Sequence, residues 1–240
     1  WRLSELAQEV GLAKPTAFRI LATLVDERVV VRDPTTGTYR LGPTIIGMGA
    51  LARRTVDLPA LARPELEALA WSTGETTCYE ILEGTEILIV DGIAGRYRTS
   101  SPPGTGSRWP AHATSTGKAL LADLRRHEPT AWSRFTRGRR SLPRYTPKTI
   151  TSIARLNSDL DLIERRGYAI ADEELEPGYT AIGTLIHDAS GRARGAISVG
   201  GSSARLRPNR RAAVIREMLT AARRISQRLG AVNGGYDAAH

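Results

Sequence analysis

Residues 3–42, LSELAQEVGLAKPTAFRILATLVDERVVVRDPTTGTYRLG, switch from a helical hydrophobic period to a strand-like one, and no other feature restricts the fold as much. Leu3, Leu6, Ala7 and Val10 recur at the spacing of one helical face. Gly11-Leu12 breaks that helix. Lys14-Pro15-Thr16 opens a second, with proline at an early position where its missing N–H costs nothing. This helix runs on through AFRILATLVDE, which places Ile20, Leu21, Leu24 and Val25 inside. In 29–42 two β-branched or aromatic runs flank Asp33-Pro34-Thr35-Thr36-Gly37, the composition of a β-hairpin. Helix, turn, helix, hairpin is the order of a winged helix-turn-helix.

In such a unit the second helix enters the major groove of double-stranded DNA with its N-terminal residues on base edges. Lys14, Thr16, Ala17 and Arg19 occupy those positions. Lys and Arg reach phosphates or guanine acceptors, Thr meets a thymine methyl or a phosphate, and Ala17 keeps the approach close. The wing offers Arg32, Thr36, Thr38 and Arg40, with Thr35 and Tyr39 beside them. The bland alternative is a protein-interaction module. Charge decides little, because residues 1–60 hold eight Lys/Arg against six Asp/Glu, a net of +2. The whole chain carries +9, which suits a polyanion partner. That excess sits in 134–148 and in 205–228, where a solvated basic face is the simpler reading.

Beyond residue 43 a helical stretch runs to about Ala70, interrupted near Leu58-Pro59 and Pro64, and a domain boundary falls around 55–60. Strands read at 76–83 and 86–93, joined through Gly84-Thr85, with a third at 97–101 before the loop PPGTGSRWP. A helix over 115–126, a basic loop over 134–148 and a helix over about 150–166 ending at Gly167 follow. YAIADEE, YTAIGTLIHD and ARGAISVGG read as strands, 208–229 as a last helix and GAVNGGYDAAH as a tail. The class is α+β. Cys78 is the single cysteine, which excludes an internal disulfide and a cysteine metal cluster and suits a cytoplasmic setting. No metal, cofactor, membrane span or signal segment is expected. The abrupt start at Trp1 suggests a segment lost upstream.

HATSTGKALLA, 112–122, concentrates the chemistry. A phosphate loop needs Gly five residues before the Gly-Lys pair and Ser or Thr after it, but His112 and Ala119 stand there. The Gly-x-Ser-x-Gly elbow of a hydrolase is missing around Ser115, so an enzyme using Ser115, His112 or Cys78 is only a rival reading. Two readings remain for the start of this helix. Its free N–H groups and positive dipole end can hold an anion, or Ser115 or Thr116 is simply the N-cap.

The chain resembles the IclR-type bacterial transcriptional regulators in 3–42, in PAHATSTGKALLA (110–122), in GYAIADEE (167–174) and in GYTAIGTLIHDASGRARGAISVGG (178–201). The resemblance implies a winged helix-turn-helix over 1–42 whose first helix precedes Trp1, and a helical linker over 43–60. A GAF-like effector-binding domain over 61–230 and a tail over 231–240 would follow. It implies a homodimer or dimer of dimers on a palindromic operator, repressing or activating. It places effector contacts at Ser115, Thr116, Asp172, Ala181, Ser198 and Gly200, with His112 and Trp109 at the pocket mouth. Some relatives carry Cys at the Ala181 position and Ser at the Gly200 position. Fewer donors here favour an apolar or aromatic carboxylic acid over a small oxo-acid, with a regulator that needs no effector as the alternative.

Overall fold

The computed structural model describes residues 1–48, 58–97 and 104–231. Residues 49–57 of the expected linker, 98–101 of the expected third strand and 232–240 of the tail lie outside them. The chain divides into two compact units, Trp1–Leu58 and Pro59–His240.

Unit one contains α1 (Leu3–Glu9), α2 (Lys14–Asp26), β1 (Val30–Arg32) and β2 (Tyr39–Leu41). The Arg2 amide donates to the Glu5 carboxylate at 2.8 Å, closing the first turn of α1. Gly11 turns the chain at φ +65°, and the Leu12 amide donates to Ala7 O at 2.9 Å. β1 and β2 pair antiparallel with Val31 opposite Arg40. Leu21, Val30 and Tyr39 form the core, joined by Leu3, Leu24, Val25 and Val29. Ile20, expected inside, is 47% exposed. One residue ahead of Leu21 on a helix means a rotation of about 100°, which takes Ile20 off the stripe of Ala17, Leu21 and Leu24.

Unit two is built on a six-stranded antiparallel sheet of order β5-β4-β3-β8-β7-β6. Its strands are β3 (Thr76–Glu83), β4 (Glu86–Ile93), β5 (Arg108–Pro110), β6 (Ala169–Asp172), β7 (Tyr179–His187) and β8 (Ala193–Ser202). One face is covered by α3 (Leu58–Thr73) and α7 (Pro208–Arg228). These helices join each other through Ser72 Oγ donating to Glu217 at 2.6 Å, and reach the strands through Thr77 Oγ1 donating to Leu66 O at 2.9 Å and the His187 amide donating to Ser226 Oγ at 3.0 Å. The other face is covered by α4 (Ser115–His127), α5 (Pro129–Thr136) and α6 (Ile153–Arg166). There Leu121, Leu156, Leu160 and Ile163 pack with Ile87, Leu185 and Ala196. Gly167 ends α6 at φ +81°, the left-handed cap that glycine tolerates.

Three expectations change. β5 lies within the stretch read as a loop, because a three-residue strand that follows Gly106-Ser107 and ends in Pro110 has too short a period to register. α5 takes in Arg134, so the basic loop starts only after Thr136. The arginines after residue 204 are not a bare solvated face. Arg205 and Arg210 meet Glu75, Arg211 meets Asp172, and Arg224 and Arg228 meet Glu65.

Lys118 does structural work. Its Nζ, on a side chain 1% exposed, donates to Ile170 O at 2.8 Å and to Glu174 Oε1 at 2.6 Å, and lies 2.8 Å from Asp159 Oδ2. One cation thus ties α4 to α6 and to the turn after β6. Removing one member of a buried charge group leaves the others uncompensated, at about 3–5 kcal/mol. Lys118→Met is expected to lower the unfolding free energy by about that much in urea titration. A loss within about 1 kcal/mol, the scale of exposed pairs, would refute the role.

Candidate functional site

Two surfaces hold the residues singled out in the sequence, one in each unit. On α2, Lys14, Thr16 and Arg19 are exposed, while Ala17 is 3% exposed and faces the core. Ala17 is therefore a packing residue and drops out of the base-contacting set. Thr16, Arg19 and Thr23 stand at i, i+3 and i+7, so the polar stripe continues along the exposed side. In the wing, Arg32, Thr36 and Arg40 are exposed and Thr38 is half-buried. The wing turn is locally braced: Asp33 Oδ1 accepts from the amides of Thr35 at 2.8 Å and Thr36 at 2.9 Å. Those two bonds, Thr36's first, hold the Asp33 carboxyl below its ordinary range. Arg32 lies over the Tyr39 ring, 5.9 Å from its centroid.

The second surface is a cavity in unit two, under the N-terminus of α4. Strand alternation brings Thr76, Cys78 and Glu80 of β3, Ala171 of β6, Tyr179 and Ala181 of β7 and Ser198 of β8 to one sheet face. Ala113, Thr114, Ser115 and Thr116 cover that face, and Ile87, Trp109 and Leu175 close the sides. About 450 Å³ of space lies between these atoms, counting the part open to solvent. Little of that space lies clear of the walls, so the cavity is narrow.

Ser115, Thr116, Ala181 and Ser198 meet in this cavity, and Trp109 joins them. Gly200 sits beside them under the Tyr179 ring; a Cβ there would stand 2.2 Å from the Tyr179 hydroxyl, so this tyrosine fills the space that a serine side chain in place of Gly200 would need. Asp172 and His112 are not in the lining. Asp172 follows Ala171 on β6 and so points to the opposite face, where its Oδ1 accepts from Thr180 at 2.8 Å and lies 3.0 Å from Arg211. Partial burial raises its carboxyl, but those partners outweigh burial and hold it below the usual range. His112 Nε2 lies 2.9 Å from Pro143 O, and burial depresses its imidazole. Among the described residues no hydrogen bond joins His112 to Ser115 or Cys78, and burial pushes the Cys78 thiol well up, which opposes a thiolate nucleophile. Among them, too, no cluster of His, Cys, Asp and Glu could hold a metal.

The N-cap reading is replaced as well. The capping position is Thr114, and its side chain makes no capping bond. Thr116 turns its hydroxyl instead to Glu80 Oε2, while Ser198 Oγ donates to Glu80 Oε1 at 3.1 Å. Glu80 is the residue that the sequence did not reveal. It is 2% exposed and lies where the β3–β4 register shifts between Tyr79 and Glu80. Burial pushes its carboxyl from 4.5 up to about 7, and the two hydroxyl donors pull it only part of the way back.

A helix-turn-helix unit with a polar, basic stripe on its second helix, on one chain with a sheet-and-helix unit around an internal cavity, defines the class of two-unit transcription regulators. The chain belongs to the IclR family. Residues 1–34 match the family described as IclR helix-turn-helix domain, and residues 50–227 match Bacterial transcriptional regulator IclR C-terminal. It is 38% identical over 226 residues to the HTH-type transcriptional regulator BhcR of Paracoccus denitrificans, covering 93% of this chain and 79% of that protein. It is 33% identical over 233 residues to the glycerol operon regulatory protein of Streptomyces griseus, covering 95% and 89%. These relatives are named as regulators, not enzymes. An IclR regulator from Silicibacter sp. TM1040 shares the fold at TM-score 0.86 and 24% identity over 97% of this chain and 90% of that one. An IclR homologue from Microbacterium hydrocarbonoxydans, solved with 4-hydroxybenzoate, shares it at 0.81 and 24% over 95% and 91%. No described helix is long and apolar enough to cross a membrane.

Because folding raises the Glu80 carboxyl from 4.5 to about 7, the folded state binds that proton more tightly than the unfolded chain. The group's contribution is therefore best at low pH and is lost as pH rises through this window. Glu80→Gln is expected to match the parent's stability near pH 4.5 and to exceed it by up to roughly 3 kcal/mol at pH 8. Melting at pH 5 and pH 8 checks this; a stability difference that does not grow with pH refutes it.

Proposed function

We propose that this chain is a cytoplasmic one-component regulator that binds palindromic double-stranded DNA as a homodimer or dimer of dimers and is controlled by a small molecule held in the cavity of unit two. Lys14, Thr16 and Arg19 read the major groove, and Arg32, Thr36, Thr38 and Arg40 hold the flanking backbone. What supports effector binding above all is the convergence of Ser115, Thr116, Ala181 and Ser198, from three separate elements, on one cavity. Control requires that the effector bind the two DNA-binding arrangements with different affinity.

The effector has an apolar or aromatic body, matching Ile87, Trp109 and Leu175, and a polar end facing α4 and the sheet hydroxyls. The related regulator solved with 4-hydroxybenzoate, an aromatic carboxylate, supports an aromatic body. The first turn of α4 supports a carboxylic acid at the polar end, and Glu80 opposes one. A second reading, DNA binding without an effector, is favoured by the narrowness of the cavity and by the Tyr179 ring over Gly200.

Selection from a random duplex pool is expected to return a two-fold symmetric site. Arg19→Ala should weaken binding to it by about tenfold or more, on the scale of 1–3 kcal/mol for a base contact, without changing thermal unfolding. Equal affinity in a gel-shift titration removes Arg19 from the interface.

A further inference from the structure

Taking the cavity under α4 as the effector site, we propose that Glu80 selects an occupant whose polar end donates hydrogen bonds, a protonated amine above all, and excludes the carboxylates that a helix N-terminus alone would favour. The proposal rests on the composition of the walls. Among the described residues Glu80 is the sole carboxyl in the lining, and no Lys, Arg or His accompanies it there.

The charged and titratable groups around it give no counterweight. On its own strand the neighbour is Cys78, whose thiol burial keeps protonated. From β7 comes Tyr179, whose phenol burial likewise keeps neutral. From α4 and β8 come only the hydroxyls of Ser115, Thr116 and Ser198. Lys118, one turn further along α4, is committed to Glu174, Asp159 and Ile170 O.

A carboxylate guest would thus meet a second carboxyl in a desolvated space with no cation from the described residues between them, so one of the two must take up a proton. The helix end gives such a guest limited help. The Thr116 backbone nitrogen lies 2.8 Å from where a Cβ on Gly183 would stand, so β7 closes that side. A donor-bearing guest finds the opposite situation. A carboxylate offers about four acceptor positions, and Thr116 and Ser198 occupy one each. The remaining positions can receive N–H or O–H groups, and the aromatic walls of Trp109 and Tyr179 suit a cation.

The test uses the full chain and matched probes of one skeleton: benzylamine, benzyl alcohol and benzoate, with phenethylamine and phenylacetate as a second set. Affinity is measured by calorimetry at pH 6 and pH 8. At pH 8 each amine is expected to bind at least tenfold tighter than its carboxylate. Raising the pH should tighten the amines as Glu80 ionises and weaken the acids. Glu80→Gln, nearly isosteric, with its amide oxygen accepting from one of the two hydroxyls and its NH2 donating to the other, should lower amine affinity at least tenfold and remove the pH trend.

Ala181→Leu, which fills the cavity, tells the two levels of failure apart. If it abolishes binding but a carboxylate binds as tightly as its amine at pH 8, or Glu80→Gln leaves amine affinity unchanged, the selectivity assigned to Glu80 is overturned and the cavity stands as the effector site. If Ala181→Leu leaves binding unchanged, or no probe of either set binds, the cavity itself is overturned as that site, and the selectivity with it.

Discussion

The close approach of the α4 N-terminus to the sheet governs most of unit two. Gly183 permits it, since a Cβ there would stand 2.8 Å from Thr116 N and 3.0 Å from Ser115 Oγ; Gly117 permits the tight turn into the helix, where a Cβ would stand 2.3 Å from Ala111 O. A side chain at Gly183 would lift the helix off the strands, and one at Gly117 would push away the Ala111–Thr114 turn that leads into it. With the helix pressed down, Ser115 and Thr116 are almost fully buried and Thr116 reaches Glu80 across to β3. One turn later, Lys118 reaches Asp159 and Glu174. The Gly-Lys pair that imitates a phosphate loop is thus explained by packing and by a buried ion group. Neither residue offers anything to a phosphate.

Much of this was legible because period carries it. Helix-to-strand switching in 3–42 gave four elements of unit one, and the order of apolar runs gave most helices and strands of unit two, α5 and β5 excepted. The resemblance placed Ser115, Thr116, Ala181 and Ser198, which do share a cavity. It placed Asp172 there too, and strand alternation sends that carboxylate to the other face, where Arg211 meets it. Glu80 was missed for a definite reason. In TTCYEILE the even positions Thr76, Cys78 and Glu80 read as the polar side of a half-exposed strand, yet both faces of β3 are covered by helices. Alternation tells which residues share a face but not whether that face meets water. Ile20 is the converse case, an apolar residue one position off the buried stripe of α2.

Unit two buries carboxyl groups in two different ways, and the contrast separates structure from function. Glu174 is 7% exposed and shares Lys118 with Asp159, so its charge has a fixed counter-ion inside the fold. Glu80 is buried more deeply and, among the described residues, has hydroxyl donors only. A structural role would be served as well by an amide or an apolar residue, which would carry no penalty at neutral pH. A carboxyl kept without a counter-ion, in the wall of a cavity and beside a register shift, is a local cost of the kind that folds hold at binding sites.

That cost also shapes what an effector can do. A guest that supplies the missing donor or cation removes the desolvation penalty of Glu80 on binding, so the energy stored in the free domain becomes binding energy. The gain is confined to the arrangement in which Thr116 and Ser198 hold the carboxyl in place, because both hydroxyls must stay on it while the guest engages the remaining lone pairs. A ligand shifts a two-state protein only by its differential affinity for the states. Displacing the first turn of α4 would break the Thr116 bond and weaken the guest. A guest on Glu80 therefore opposes any state in which α4 lifts from β3. On the proposed reading of the cavity, tightness of α4 against the sheet is the quantity that an effector would control.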